Sequence, residues 1–198
     1  MSDLAPTMDS RALGLRERKK AKTRKLISDI ATRLFIERGF HSVTTSEIAQ
    51  LAEVSVTTLF KYFPTKEALV FDEDKTMEAA LVGAVVSRHA ETSIVEAVRR
   101  FFVEGPYFRS SHDKAHAAFS ALIRSTPELA AYVRQMSLRY EKALARAIER
   151  SAGSRVNKIQ AAAIARYALD AVTMAQRFPK QAEAFNTLIN LLRDGTDI

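Results

Sequence analysis

The sequence contains no cysteine and no tryptophan. Without thiols it forms no disulfide, carries no thiolate nucleophile and offers no thiolate-based zinc site. Glycine (6) and proline (5) are scarce among 198 residues, so tight β-turns are few and helix is the favoured state. No apolar run approaches the ~20 residues of a membrane span. The opening MSDLAPTMDSRALGLRERKK holds no apolar segment of the signal-peptide kind, which leads to the expectation of a soluble chain with no membrane partner. There is no G-x-S-x-G elbow, no phosphate-cradling glycine loop and no convincing acid pair. The expectation is therefore a protein that is not an enzyme and needs no cofactor and no metal.

What is present is apolar enough to fold and strongly basic. Hydrophobic residues make up 47% of the chain, ample for a core and too many for a disordered segment. The net charge is +7, which raises the odds of a polyanionic partner. That charge is concentrated. Arg16, Arg18, Lys19, Lys20, Lys22, Arg24 and Lys25 crowd one stretch, with Glu17 as the lone acid among them. Read by itself, such a run is a solvated helix face.

Apolar positions then recur at Leu26, Ile27, Ile30, Ala31, Leu34 and Phe35, the three–four spacing of an amphipathic helix. With Gly39 as its terminator, the first helix is expected over about 16–38, behind a tail of residues 1–15. Thr44 and Glu47 have capping-box spacing and open a second helix. Ser55 caps a third, over about 56–62, which Pro64 stops. Two short helices joined by a tight turn make a helix-turn-helix, whose second member reads the major groove. The rest divides into helices near 65–90, 93–108, 113–124, 127–151, 155–177 and 179–194, with Thr126-Pro127 opening the fourth of these. The fold class is thus all-α: an N-terminal three-helix module and a C-terminal helical bundle, about nine helices in total. The domain limits expected are 16–65 for the helix-turn-helix module and 66–198 for the helical bundle.

The chemistry of the third helix follows from its faces. Leu59 and Phe63 point inward, while Val56, Thr57, Lys61 and Tyr62 are presented outward. Thr57 suits a phosphate or base edge, Val56 a thymine methyl, and Lys61 a guanine edge or phosphate. Thr45 and Ser46 offer hydroxyls and amides to a phosphate, and Lys66 adds a cation. The stretch VTTSEIAQLAEVSVTTLFKYFPTKEAL resembles the DNA-binding region of the tetracycline-repressor (TetR) family of bacterial transcription regulators. The resemblance covers about residues 16–70. It implies DNA contacts at Thr45, Ser46, Val56, Thr57, Thr58, Lys61, Tyr62 and Lys66, and backbone contacts from the basic half of the first helix.

The same resemblance implies a cytoplasmic bacterial homodimer that binds double-stranded DNA at a near-palindromic operator. A small-molecule effector, unidentified by the sequence, would release it by acting through the fourth helix. It also implies dimerisation through the last two helices, a role that suits Ala168, Ala171, Ala175, Phe185, Leu188 and Leu192. Two departures stand out. The family often has Gly where Glu53 stands, so a left-handed backbone is not expected at that turn. Phe60 lacks the hydroxyl common at its position and is left out of the DNA set.

The aromatic and methionine stripe of the C-terminal block is more often core than ligand site. A pocket between helices would be lined by residues such as Phe101, Phe102, Phe119, Met136, Tyr140 and Tyr167. Arg124 and Arg139 stand close enough in sequence to meet an acidic ligand. His112 and His116 have zinc-binding spacing but no third ligand nearby, so surface or cap roles are expected for them. A basic helix for membranes or partner helices is the remaining alternative. It would need an exposed apolar face, whereas Leu26, Ile30, Leu34 and Phe35 are expected in the small core.

Overall fold

The computed structural model describes residues 8–105, 107–108 and 114–194. Among these there are nine α-helices and no strand. They are α1 (Met8–Arg38), α2 (Thr45–Leu51), α3 (Val56–Tyr62), α4 (Asp74–Val86) and α5 (Ile94–Val103), then α6 (Lys114–Ser125), α7 (Pro127–Ala152), α8 (Lys158–Ala175) and α9 (Gln181–Asp194). The chain separates into two compact units. One comprises the residues up to Asp72 together with Leu122–Glu128, and the other Glu73–Ala121 together with the residues from Leu129 onward.

The first unit is built on α1. Its Ile27, Ala31 and Phe35 are fully buried, against Ile48 of α2, Leu59 of α3, and Phe63 and Leu69 beyond them. Thr44 Oγ1 accepts the Glu47 amide at 3.1 Å, as the capping spacing predicts. Glu47 does not return the bond, because its carboxylate pairs with Arg38 of α1. The expected reciprocal box is therefore half formed. Ser55 Oγ caps α3 by accepting the Thr58 amide at 3.0 Å.

The expected helix over 65–90 is broken. A 3-10 turn occupies Glu67–Val70, and α4 starts only at Asp74. Side chains of α1 take up the carbonyls that a continuous helix would satisfy internally. Ser28 Oγ donates to the Leu69 carbonyl at 2.7 Å. Arg24 donates to the carbonyls of Tyr62 and Asp72, pairs with the Asp72 carboxylate at 2.5 Å and lies 4.2 Å over the Phe63 ring. At the other end, α1 begins at Met8, ahead of the expected residue 16. Its basic stretch is thus continuous helix, and every residue from 14 to 22 is exposed.

In the second unit, α8 turns a row of small side chains inward: Ala161, Ala165, Ala168, Ala171 and Ala175 are all buried. That row lets α9 seat Phe185 and Ile189 fully in the core. Phe185 closes an aromatic cluster, 5.3 Å from the Phe102 ring and 5.5 Å from that of Phe108. Here the expected dimer surface fails for four residues. Ala168, Ala171, Ala175 and Phe185 are spent on this chain's own core, and only Leu188 and Leu192 keep partial exposure. The apolar surface that α8, α9 and their connection do leave open carries Ile159, Met174, Phe178 and Leu191.

Candidate nucleic-acid interface and ligand cavity

The α2–α3 turn fixes the reader helix. Val54 donates to the Ala49 carbonyl at 2.9 Å and Glu53 to that of Gln50 at 3.1 Å, the paired bonds of a Schellman cap. This geometry puts its C′ residue in the left-handed region, and Glu53 adopts φ +54°. The expectation from sequence is overturned: the turn needs the left-handed backbone, and a glutamate supplies it.

α3 is seven residues long, and an α-helix about 10–12 Å across with its side chains fits a major groove about 12 Å wide. With Leu59 and Phe63 buried, the face turned to solvent carries Val56, Thr57, Phe60 and Lys61. Phe60 is 42% exposed and Val56 37%. Its missing hydroxyl keeps Phe60 out of the expected DNA set, yet its i, i+4 spacing from Val56 puts it on the same outward face. Thr58 is less available. It is half-buried, and its hydroxyl lies 2.8 Å from Ser55 Oγ, inside the cap. Ser46 is exposed and Thr45 half-buried in the first turn of α2. Tyr62 is half-buried, with its carbonyl held by Arg24. The Arg38 pair offsets the Glu47 charge in that same turn, which favours a phosphate there.

Lys66 is placed differently from the expectation. Its ammonium donates to the Phe40 carbonyl at 2.6 Å and stands over the Phe40 and Phe35 rings at 4.5 and 5.4 Å. Burial pulls its pKa below the ordinary lysine value, opposed by the Glu67 and Glu128 carboxylates. It braces the end of α1 instead of facing outward as a phosphate contact.

The expected ligand set is scattered. Tyr140 donates to the Asp74 carbonyl at 2.7 Å. Burial, and then the Asp74 carboxylate, push its hydroxyl above the usual phenol range, so it stays a donor. Tyr167 donates to the Leu188 carbonyl at 3.0 Å and ties α8 to α9. Phe102 is buried in the aromatic cluster, while Phe119 and Met136 are half-buried on α6 and α7. Arg139 is taken by Asp74 at 2.5 Å and by Glu78. Phe101 of the expected set lines a cavity. This space of about 360 Å³ lies along α4 and α5, with Arg88, His89, Ala97, Arg100 and Gly105 among its walls. For the histidine pair, His116 is on α6 and His112 lies outside the described residues. Among the described residues no cluster of three metal-ligating side chains occurs, and no helix is long and apolar enough to cross a membrane.

A tightly capped α2–α3 pair with an outward face of uncommitted hydroxyl, cation and apolar groups defines a helix-turn-helix DNA-binding protein. Known proteins agree. Residues 27–72 match the family described as bacterial regulatory proteins, tetR family. The chain is 29% identical over 138 residues to a Mycobacterium tuberculosis protein described as a mycofactocin biosynthesis transcriptional regulator, MftR, spanning 70% of each chain. It is 29% identical over 141 residues to the transcriptional regulator TcmR of Streptomyces glaucescens, covering 68% of this chain and 62% of that one. Among solved structures, Thermus thermophilus FadR, a TetR-family repressor in complex with lauroyl-CoA, superposes with TM-score 0.57 at 25% identity, over 88% of this chain and 95% of the other. Residues 27–72 are thus a tetR-family DNA-binding module, and the chain as a whole is similar to TetR-family transcriptional regulators.

Proposed function

We propose that the protein is a homodimeric repressor that reads a near-palindromic operator with α3 and releases it on binding a small molecule. The observation that carries the DNA half is the outward face of α3, where Val56, Thr57, Phe60 and Lys61 are exposed over a buried anchor of Leu59 and Phe63. Thr57 and Lys61 supply polar contacts to base edges or phosphates, and Val56 and Phe60 apolar contacts to thymine methyls. Ser46 and Thr45 hold a phosphate and set the register. The basic helical stretch with Arg16, Lys19, Lys20 and Lys22 adds backbone contacts beside the operator, which raise affinity and weaken steeply with salt.

A two-fold dimer presents two α3 helices about 34–36 Å apart, one helical turn of DNA. The surface we assign to pairing is the exposed apolar one of Met174, Phe178 and Leu191, with Leu188 and Leu192 beside it. FadR of Thermus thermophilus, a repressor solved with an acyl-CoA, supports the effector half of the reading. An effector acts only by preferring the state that does not fit the operator, with a coupling of about 1–3 kcal/mol. The site of action is the bacterial cytoplasm, where the operator is.

The test is a footprint on fragments of the source genome, the protein's own upstream region among them, at ~150 mM salt. A protected near-palindrome supports the reading. Diffuse protection that disappears as salt rises supports instead a sequence-independent binder resting on the basic half of α1.

A further inference from the structure

We propose that the cavity along α4 and α5 is the seat of a small carboxylic acid with an apolar body. The proposal rests on the repressor reading in one respect only, that the chain takes an effector. The walls set the ligand's chemistry. Ala84, Ala97 and the half-buried Phe101 line one part of the space, and its volume of about 360 Å³ is at the small end for ligand pockets. Arg88 and Arg100 bring positive charge to the remaining walls, which His89, Thr92 and Gly105 complete.

The two arginines differ in how their charge is met. Arg88 spends its donors on main-chain carbonyls, those of Val85 at 2.8 Å, Thr92 at 3.1 Å and Ser151 at 3.4 Å. No carboxylate pairs with it among the described residues. Its guanidinium is therefore half-buried, rigidly placed and still carries its full charge. Arg100 gives Nε to Glu96 at 2.8 Å, and its two terminal nitrogens make no other bond among the described residues. Glu96 is shared, since Arg99 takes both of its oxygens as well. Arg99 also reaches Glu104 at 3.2 Å, so Glu96 and Glu104 serve Arg99 and Arg100, and Arg88 has no carboxylate partner among the described residues.

An anion entering this space gains attraction from both arginines and a fork of N–H donors from Arg100, the geometry that suits a carboxylate. An amine is repelled. A neutral amide of the same shape keeps the apolar contacts and loses the charge term. The wall at Gly105 is bare backbone by necessity, since a Cβ there would lie 2.2 Å from the Phe101 carbonyl oxygen.

The test is calorimetric titration of the full chain with naphthalene-1-acetate, and with naphthalene-1-acetamide as the neutral twin. The acid should bind at one per chain and at least tenfold tighter than the amide. Arg100→Gln, at a side chain 54% exposed where folding is not at stake, should remove that preference. Arg100→Lys should keep part of it, and Ala97→Leu should weaken both ligands by filling the space. Equal affinity for acid and amide, or a preference untouched by Arg100→Gln, overturns the proposal. Operator binding is followed in parallel. Acid binding without operator release leaves the site standing and removes the effector reading. Release by the acid that Arg100→Gln does not alter keeps the repressor reading and overturns this site.

Discussion

Glu53→Gly should make this protein more stable. Glu53 stands at φ +54°, in a region that costs a residue with a Cβ about 1–2 kcal/mol and costs glycine almost nothing. Its amide and that of Val54 are committed to the cap that turns α2 into α3, so the backbone has no way to relax without breaking that turn. Against the relief stands the larger entropy that glycine loses on folding, about 0.4–1 kcal/mol. The net gain is about 0.5–1 kcal/mol, or about 1–4 °C in a domain of this size. The assay is thermal unfolding followed by circular dichroism, with Glu53→Gln as the control. Glutamine removes the charge and keeps the Cβ, so its midpoint should stay at the wild-type value. A midpoint for Glu53→Gly at or below that of Glu53→Gln would refute the reasoning, since the left-handed backbone would then carry no cost.

Phe185 and Leu191 lie on the same helix and should behave oppositely. Phe185 is fully buried, so Phe185→Ala should cost about 3–5 kcal/mol by urea denaturation, a loss of fold instead of a clean monomer. Leu191 is 44% exposed, so Leu191→Asp should leave the chain folded, within about 0.5 kcal/mol of the parent, and shift the mass seen by light scattering to that of a monomer. Glu96 supplies a pH dependence. The hydrogen bond from Arg99, opposed by burial and helped by Arg100, lowers its pKa from 4.5 to about 2. A depressed folded-state pKa means its contribution is complete above pH 4.5 and is lost as pH falls toward 2. Glu96→Gln should therefore cost about 1 kcal/mol or less at neutral pH, with a gap to wild type that closes in urea titrations at pH 3 and below.

The reader module was the most legible part of the sequence because its punctuation is local. Thr44 and Ser55 cap helices through amides three residues away, and α3 falls at 56–62 as its spacing predicts. Features set by distant residues were not legible. The break before α4 depends on Arg24 and Ser28, which lie 41 to 48 residues from the carbonyls of Leu69 and Asp72 that they satisfy. The left-handed turn at Glu53 was hidden because the residue gives no glycine signal. The alanine row of α8 was read as a surface for a second chain, but small residues at helical spacing also admit a neighbour from the same chain, and here that neighbour is α9. The cavity was missed for a related reason. Aromatic residues mark a core as often as a pocket, whereas this space comes from what is small, Ala84, Ala97 and Gly105, beside Arg100 and an Arg88 with no carboxylate partner among the described residues.

The most direct test of the central claim, that the outward face of α3 reads sequence, is fluorescence anisotropy on the footprinted site and on a scrambled duplex of equal length. Wild type and Lys61→Ala should be compared at ~150 mM salt. The account predicts that Lys61→Ala weakens binding to the site by about 1–3 kcal/mol, five- to 150-fold, with little change on the scrambled duplex. An unchanged affinity for the site, or equal loss on both duplexes, would contradict a role for Lys61 in reading bases.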